Sequence, residues 1–140
     1  MNSTEASLEG GCLCGNIRYR TRGMPVLAEY CHCRMCQKVA GAAFGNWMDY
    51  AADKVEWLEG QPHEYQSSAH VFRGFCRDCG SSLTFRNDER PELLTLALNS
   101  LDDPDGVSPT QHIYTDSQVA WLDLSDDCER FAAERTAKRT

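Results

Sequence analysis

Seven of the eight cysteines fall into three tight clusters, Cys12-Leu-Cys14, Cys31-His-Cys33-Arg-Met-Cys36 and Cys76-Arg-Asp-Cys79, and only Cys128 stands alone. Neighbours this close suit a shared metal ion better than disulfides, which usually link distant positions. The cysteine density also falls short of the ~8–10% found in small disulfide-built scaffolds. Met1 to Gly10 carries Glu5 and Glu9 and lacks a basic start followed by an apolar stretch, so it does not read as a secretion signal. A reducing, cytoplasmic setting is the expectation, with the thiols acting as ligands.

Zinc takes four ligands in a tetrahedron and accepts thiolates at about 2.3 Å. Cys76 and Cys79, two residues apart, have the spacing of a knuckle, and Gly80 supplies the positive φ such a turn often needs. Cys12 and Cys14 project to one side of an extended chain and can grip the same ion, with Gly15 following. Four ligands from these two turns would close one site. The remaining trio, Cys31, Cys33 and Cys36, would hold a second ion with one coordination position free, the usual mark of a catalytic zinc. His32 would point away from that ion if its segment is extended. Spacing also allows a second partition, in which Cys33, Cys36, Cys76 and Cys79 form a zinc ribbon and Cys12, Cys14 and Cys31 are spare.

Asn16 to Arg22 alternates, with Ile17, Tyr19 and Thr21 on one side and arginines on the other, as in a half-buried antiparallel strand. Val26 to Tyr30 reads as a second strand leading into the middle cysteine cluster. A short helical turn over Arg34 to Ala40 is closed by Gly41. Further strand-length segments are Phe44 to Met48, Val55 to Leu58, His70 to Phe75, Ser82 to Phe85 and Leu93 to Leu98, with turn sequences between them. The pattern predicts a mainly β domain over residues 8–124. It leaves little room for parallel crossovers. A helical appendage over 125–140 would be capped by Ser125 or Asp126, with the basic run from Arg135 to Arg139 at its end.

A net charge of −7 disfavours nucleic acid as a partner. No apolar run approaches the ~18 residues that cross a bilayer, so no membrane partner is expected. Asp102, Asp103 and Asp105 lack the spacing of a calcium loop and read as a solvated turn. His63, His70 and His112 have no ligand spacing with any cysteine. Phe44, Asn46, Trp47 and Met48 follow the trio closely and read as core rather than as the wall of a substrate pocket.

The string from Gly10 to Tyr19, the run Cys31-His-Cys-Arg-Met-Cys36 with Gly41 and Phe44, the segment from Phe75 to Ser81, and His112-Ile-Tyr with Ser117 and Trp121 together resemble the glutathione-dependent formaldehyde-activating enzyme family, which includes centromere protein V. The resemblance implies a β-tent fold of several antiparallel sheets. It also implies two zinc ions per chain: a structural one on Cys12, Cys14, Cys76 and Cys79, and a catalytic one on Cys31, Cys33 and Cys36. The implied activity is that of a carbon–sulfur lyase read in reverse, adding glutathione to formaldehyde. A small thiol, glutathione first among them, is the expected partner, and Arg34, Lys38, Arg73 or Arg77 can meet its carboxylates or offset thiolate charge. The competing expectation is a non-catalytic zinc-stabilised β module that binds a ligand.

Overall fold

Alternation along Arg18–Arg22, strand β2, buries Tyr19 and Thr21 completely, while the arginines between them stay at the surface. A computed structural model of the chain describes residues 5–134 and pairs β2 antiparallel with β1 (Ser7–Gly11) and β5 (Val55–Glu59) in a three-stranded sheet. On its outer side Arg18 grips Asp102 with bonds of 2.8 and 2.6 Å, and Arg20 meets Glu9 at 3.0 Å. Pairs this exposed add little stability.

The second sheet has eight strands: β3 (Leu27–Cys31), β4 (Gly45–Ala51), β6 (His63–Ser68), β7 (Val71–Phe75), β8 (Ser82–Asn87), β9 (Leu93–Ala97), β10 (Gln111–Ile113) and β11 (Glu129–Arg130). Their spatial order is β11-β10-β3-β4-β9-β8-β7-β6. Tyr19 from the small sheet packs with Ala28, Met48, Tyr50 and Leu96 from the large one, and Leu98, Leu101 and Val107 complete that core. One α-helix, α1 (Arg34–Ala40), leaves the end of β3 and stops at Gly41, whose φ of 62° ends the helix in the left-handed region. The chain is therefore mainly β with antiparallel sheets, as the sequence indicates.

Three features differ from the sequence reading. β6 went unanticipated because nearly every residue in it is exposed and it shows no alternation. β10, only three residues long and wholly buried, lies parallel to both β3 and β11, so parallel pairing does occur here; the stretch from Leu98 to Thr110 supplies the return. The C-terminal helix expected from residue 125 is not formed over residues 125–134. Asp126, the proposed cap, instead accepts from the backbone amide of Cys128 at 2.9 Å and from Arg130 at 3.2 Å, and it meets the His112 ring. Glu129–Arg130 pairs with β10, and Phe131 is buried beside Cys31, Cys36, Trp47 and Ile113. Helix propensity is a weak prior, and one buried aromatic with a strand partner overrides it. Residues 135–140, including the basic run from Arg135, lie outside the described residues. No helix among the described residues is long and apolar enough to cross a membrane.

Packing of Phe131 makes the C-terminal segment part of the core. Phe131→Ala is expected to lower the free energy of unfolding in urea by about 3–5 kcal/mol. A change within about 0.5 kcal/mol, typical of a surface site, would show the segment to be detached.

Candidate metal centre

Two turns from distant parts of the chain meet at the first cysteine group. After β1 the chain turns tightly, with Cys12 N donating to Ile17 O at 3.0 Å and Ile17 N donating to the Cys12 sulfur at 3.3 Å. After β7 a similar turn closes with Gly80 N donating to Cys76 O at 2.7 Å. Gly80 has φ of 80° and open space around the position of a side chain, so the backbone conformation, not crowding, calls for glycine. Leu13 N donates to Ser81 Oγ at 2.9 Å and Asn16 Nδ2 to Asp78 Oδ2 at 3.0 Å, which docks the turns together. The sulfurs of Cys12, Cys14, Cys76 and Cys79 lie within 4.8 Å of one another.

The sulfur separations fit a tetrahedral ion closely. Cys12 and Cys14 sulfurs are 3.6 Å apart, and those of Cys14 and Cys76 are 3.8 Å apart. A tetrahedron with metal–sulfur bonds of about 2.3 Å has edges of roughly 3.8 Å. Hydrogen bonds from the side chain and then the backbone of Ser81 draw the Cys79 thiol down to about 6, so this ligand ionises readily.

The second group forms where β3 runs into α1. Cys31 ends the strand; Cys33 is the N-cap of α1, and its sulfur accepts from Cys36 N at 3.3 Å; Cys36 lies in the first turn of the helix. Their three sulfurs also lie within 4.8 Å of one another, and no fourth histidine, cysteine or carboxylate joins them among the described residues. Trp47 donates its indole N–H to the Cys36 sulfur at 3.4 Å. Gly45 makes that approach possible: a Cβ there would sit 2.7 Å from Trp47 Nε1 and 3.4 Å from Cys36 Cβ. Hydrogen bonds from Cys31 and then Cys36 hold Cys33 well below the ordinary thiol range, and the same contacts with Cys33 and then Cys36 push Cys31 up. A divalent ion bound there would displace the protons of these thiols. The donor set of both groups suits zinc.

His32 does not join the trio. Its ring is fully buried on the other side, with Nε2 at 2.8 Å from Nδ1 of His112, itself 1% exposed. His112 Nε2 lies 2.9 and 3.2 Å from the two oxygens of Asp126. Tyr30 stacks on the His112 ring with centroids 4.4 Å apart. Sequence reasoning placed His32 facing away and singled out His112 only through the family signature. It missed Asp126, which lies in a polar run with no spacing signal. Cys128, which stands alone in the sequence within the expected helix, lies beside His112 and Asp126 in a loop.

Of the basic residues near the clusters, Arg73 is the one whose charge helps hold Cys33 ionised. It is buried, lies over the Phe85 ring at 5.1 Å and donates through Nε to Ser67 Oγ at 3.2 Å. Arg34 instead donates to Gln37, and Lys38 and Arg77 are exposed. Trp47 and Met48 are buried in the core, as read, whereas Phe44 and Asn46 are half-buried and, like one side of Trp47, line a cavity. A cavity of about 670 Å³ is lined by Leu13, Phe44, Trp47, Ser81 and Asn99 among others, and Trp47 connects its wall to Cys36. Asp103 caps its own turn by accepting from Asp105 N at 3.1 Å, consistent with a solvated loop.

The sequence profile described as glutathione-dependent formaldehyde-activating enzyme matches residues 7–117. A Halomonas elongata protein named for that activity is 27% identical over 127 residues, covering 84% of this chain and 80% of its own length. An uncharacterized lyase of Schizosaccharomyces pombe is 28% identical over 126 residues, covering 89% of this chain and 85% of its own. A crystal structure of a Rhodobacter sphaeroides protein superposes with a TM-score of 0.55 at 21% identity, covering 73% of this chain and 92% of that one, and shows a shared fold.

Zinc-loaded protein, cleared of loosely held metal, is expected to carry two ions per chain by atomic emission, and Cys33→Ser one. Recovery of one ion or none from the unmutated chain would rule out the two-site arrangement. Because thiolates must lose their protons to bind, both ions should leave as the pH is lowered. The closed four-cysteine site should be the slower to empty.

Proposed function

The chain belongs to the glutathione-dependent formaldehyde-activating enzyme family, and on that premise we propose that it is a zinc-dependent enzyme of the carbon–sulfur lyase type, acting on a glutathione or other thiol adduct of formaldehyde or another small electrophile. The observation that carries this reading is the difference between the two groups: four sulfurs converge in one and three in the other. Cys12, Cys14, Cys76 and Cys79 would hold a structural ion, and Cys31, Cys33 and Cys36 one with a position left for a ligand. Bound at the trio, zinc supplies charge that favours the deprotonated form of an incoming thiol and polarises a carbonyl oxygen.

The chain's own groups shape what can happen there. Cys33 is the ligand poised as an anion, held so by its neighbours' thiols and, more weakly, by Arg73. The indole N–H of Trp47 occupies one face of the Cys36 sulfur and keeps that ligand oriented. In the addition, a sulfur–carbon bond forms, the carbonyl π bond breaks, and the thiol proton ends on the resulting hydroxyl; the reverse cleaves the same bond. Holding both reactants in one place contributes several kcal/mol through lost translational freedom that need not be removed again. The eight free cysteines suit a reducing compartment such as the cytoplasm.

Proton NMR of glutathione mixed with formaldehyde, with and without zinc-loaded protein, tests this directly. Adduct formation and its reversal are expected to accelerate together, since a catalyst leaves the equilibrium unchanged, and Cys33→Ser should return both to the buffer rate. A zinc-loaded protein that neither changes the rate nor binds glutathione would leave the non-catalytic binding module as the reading.

A further inference from the structure

The buried pair His32 and His112 is not accounted for by the reading above. Two imidazoles at 0% and 1% exposure are expensive where apolar side chains would pack, and His32 Nδ1 is a buried atom with no hydrogen-bond partner among the described residues. Their arrangement is a continuous chain. An ionised carboxylate only accepts, so His112 Nε2 carries a hydrogen toward Asp126. His112 Nδ1 and His32 Nε2, 2.8 Å apart, share a second hydrogen bond. The chain Asp126, His112, His32 ends at Nδ1 of His32.

Each member is held from outside. Asp126 accepts from Cys128 N at 2.9 Å and from Arg130 at 3.2 Å, and Tyr30 lies flat on His112. The Phe44 ring packs against His32, with ring centroids 5.4 Å apart. Gln37 Nε2 donates to the His32 carbonyl at 2.7 Å and to Ser117 O at 3.0 Å. Ring and carbonyl of the one residue between Cys31 and Cys33 are thus both fixed, and with them the directions in which those two sulfurs leave the backbone.

We propose that Asp126 and His112 are positioning residues for the three-cysteine site, acting through the His32 ring, an inference that rests on reading the trio as a metal site. Outer groups that orient ligands typically change metal affinity 10- to 100-fold when removed. No such link joins Asp126 to the four-cysteine group, so the two sites should respond differently.

The test is zinc competition against a chromophoric chelator, using the full chain. In the unmutated protein two equivalents are expected. Asp126→Ala and His112→Phe, the latter retaining a ring against Tyr30, should weaken the second equivalent by about 10- to 100-fold and leave the first unchanged. Asp126→Asn, which keeps an oxygen facing His112, should fall between. The intact first equivalent reports that each variant is folded. Equal weakening of both equivalents, or of neither, overturns the proposal. Loss of a third equivalent would give Asp126, His112 and Cys128 an ion of their own and also overturn it. If the unmutated chain holds a single equivalent, the reading of the trio fails and this inference with it.

Discussion

Sulfur crowding is the constraint on which the rest of the structure depends. Seven thiols are drawn into two groups whose members lie within 4.8 Å of one another. Ionised together they would repel; protonated together they would be poor hydrogen-bonding partners with little reason to converge. A divalent cation would resolve this conflict, and the turns after β1 and β7 close tightly around their sulfurs. In the first group the amide of Ile17 lies against the Cys12 sulfur and the hydroxyl of Ser81 against that of Cys79, and both thiols are drawn below their ordinary range. The second group receives the amide of Cys36, the indole N–H of Trp47 and the charge of the buried Arg73 guanidinium.

The parts of this architecture that were legible in the sequence are those that local chemistry dictates. Strict alternation in Ile17, Tyr19 and Thr21 gave β2, and the short apolar runs gave β4, β5, β7, β8 and β9 to within a few residues. The sequence Arg34 to Gly41 gave α1 with both its ends, because its cap and stop residues act within one turn. Cysteine spacing anticipated which sulfurs approach one another, although by itself it left two partitions open. Coordinates group the sulfurs as the family resemblance implied and not as a ribbon of Cys33, Cys36, Cys76 and Cys79.

What stayed hidden depends on long-range pairing. β10 is too short to show a period, and its parallel contact with β3 joins positions about 80 apart in sequence. Asp126 read as a helix cap because Ser125 and Asp126 precede residues with good helix propensity. Its real partner, His112, is 14 positions earlier and is buried, a relation that no local pattern encodes. Phe131 was the one available hint, a lone aromatic in an otherwise polar tail, and its burial explains why that tail returns to the sheet.

The position of β10 between β3 and β11 also orders events during synthesis. Every sulfur of the four-cysteine group has left the ribosome once residue 79 emerges, and that turn pair can capture its ion while the rest of the nascent chain is still being made. Cys31, Cys33 and Cys36 appear earlier still, yet the strands and rings that flank them come from residues 111–131, near the end of translation. Closing so large a loop is entropically slow compared with local turns. The open trio is thus the earliest metal-capable segment to be made and the last to be flanked by its full set of neighbours, an interval in which chaperones have access that the mature fold denies them.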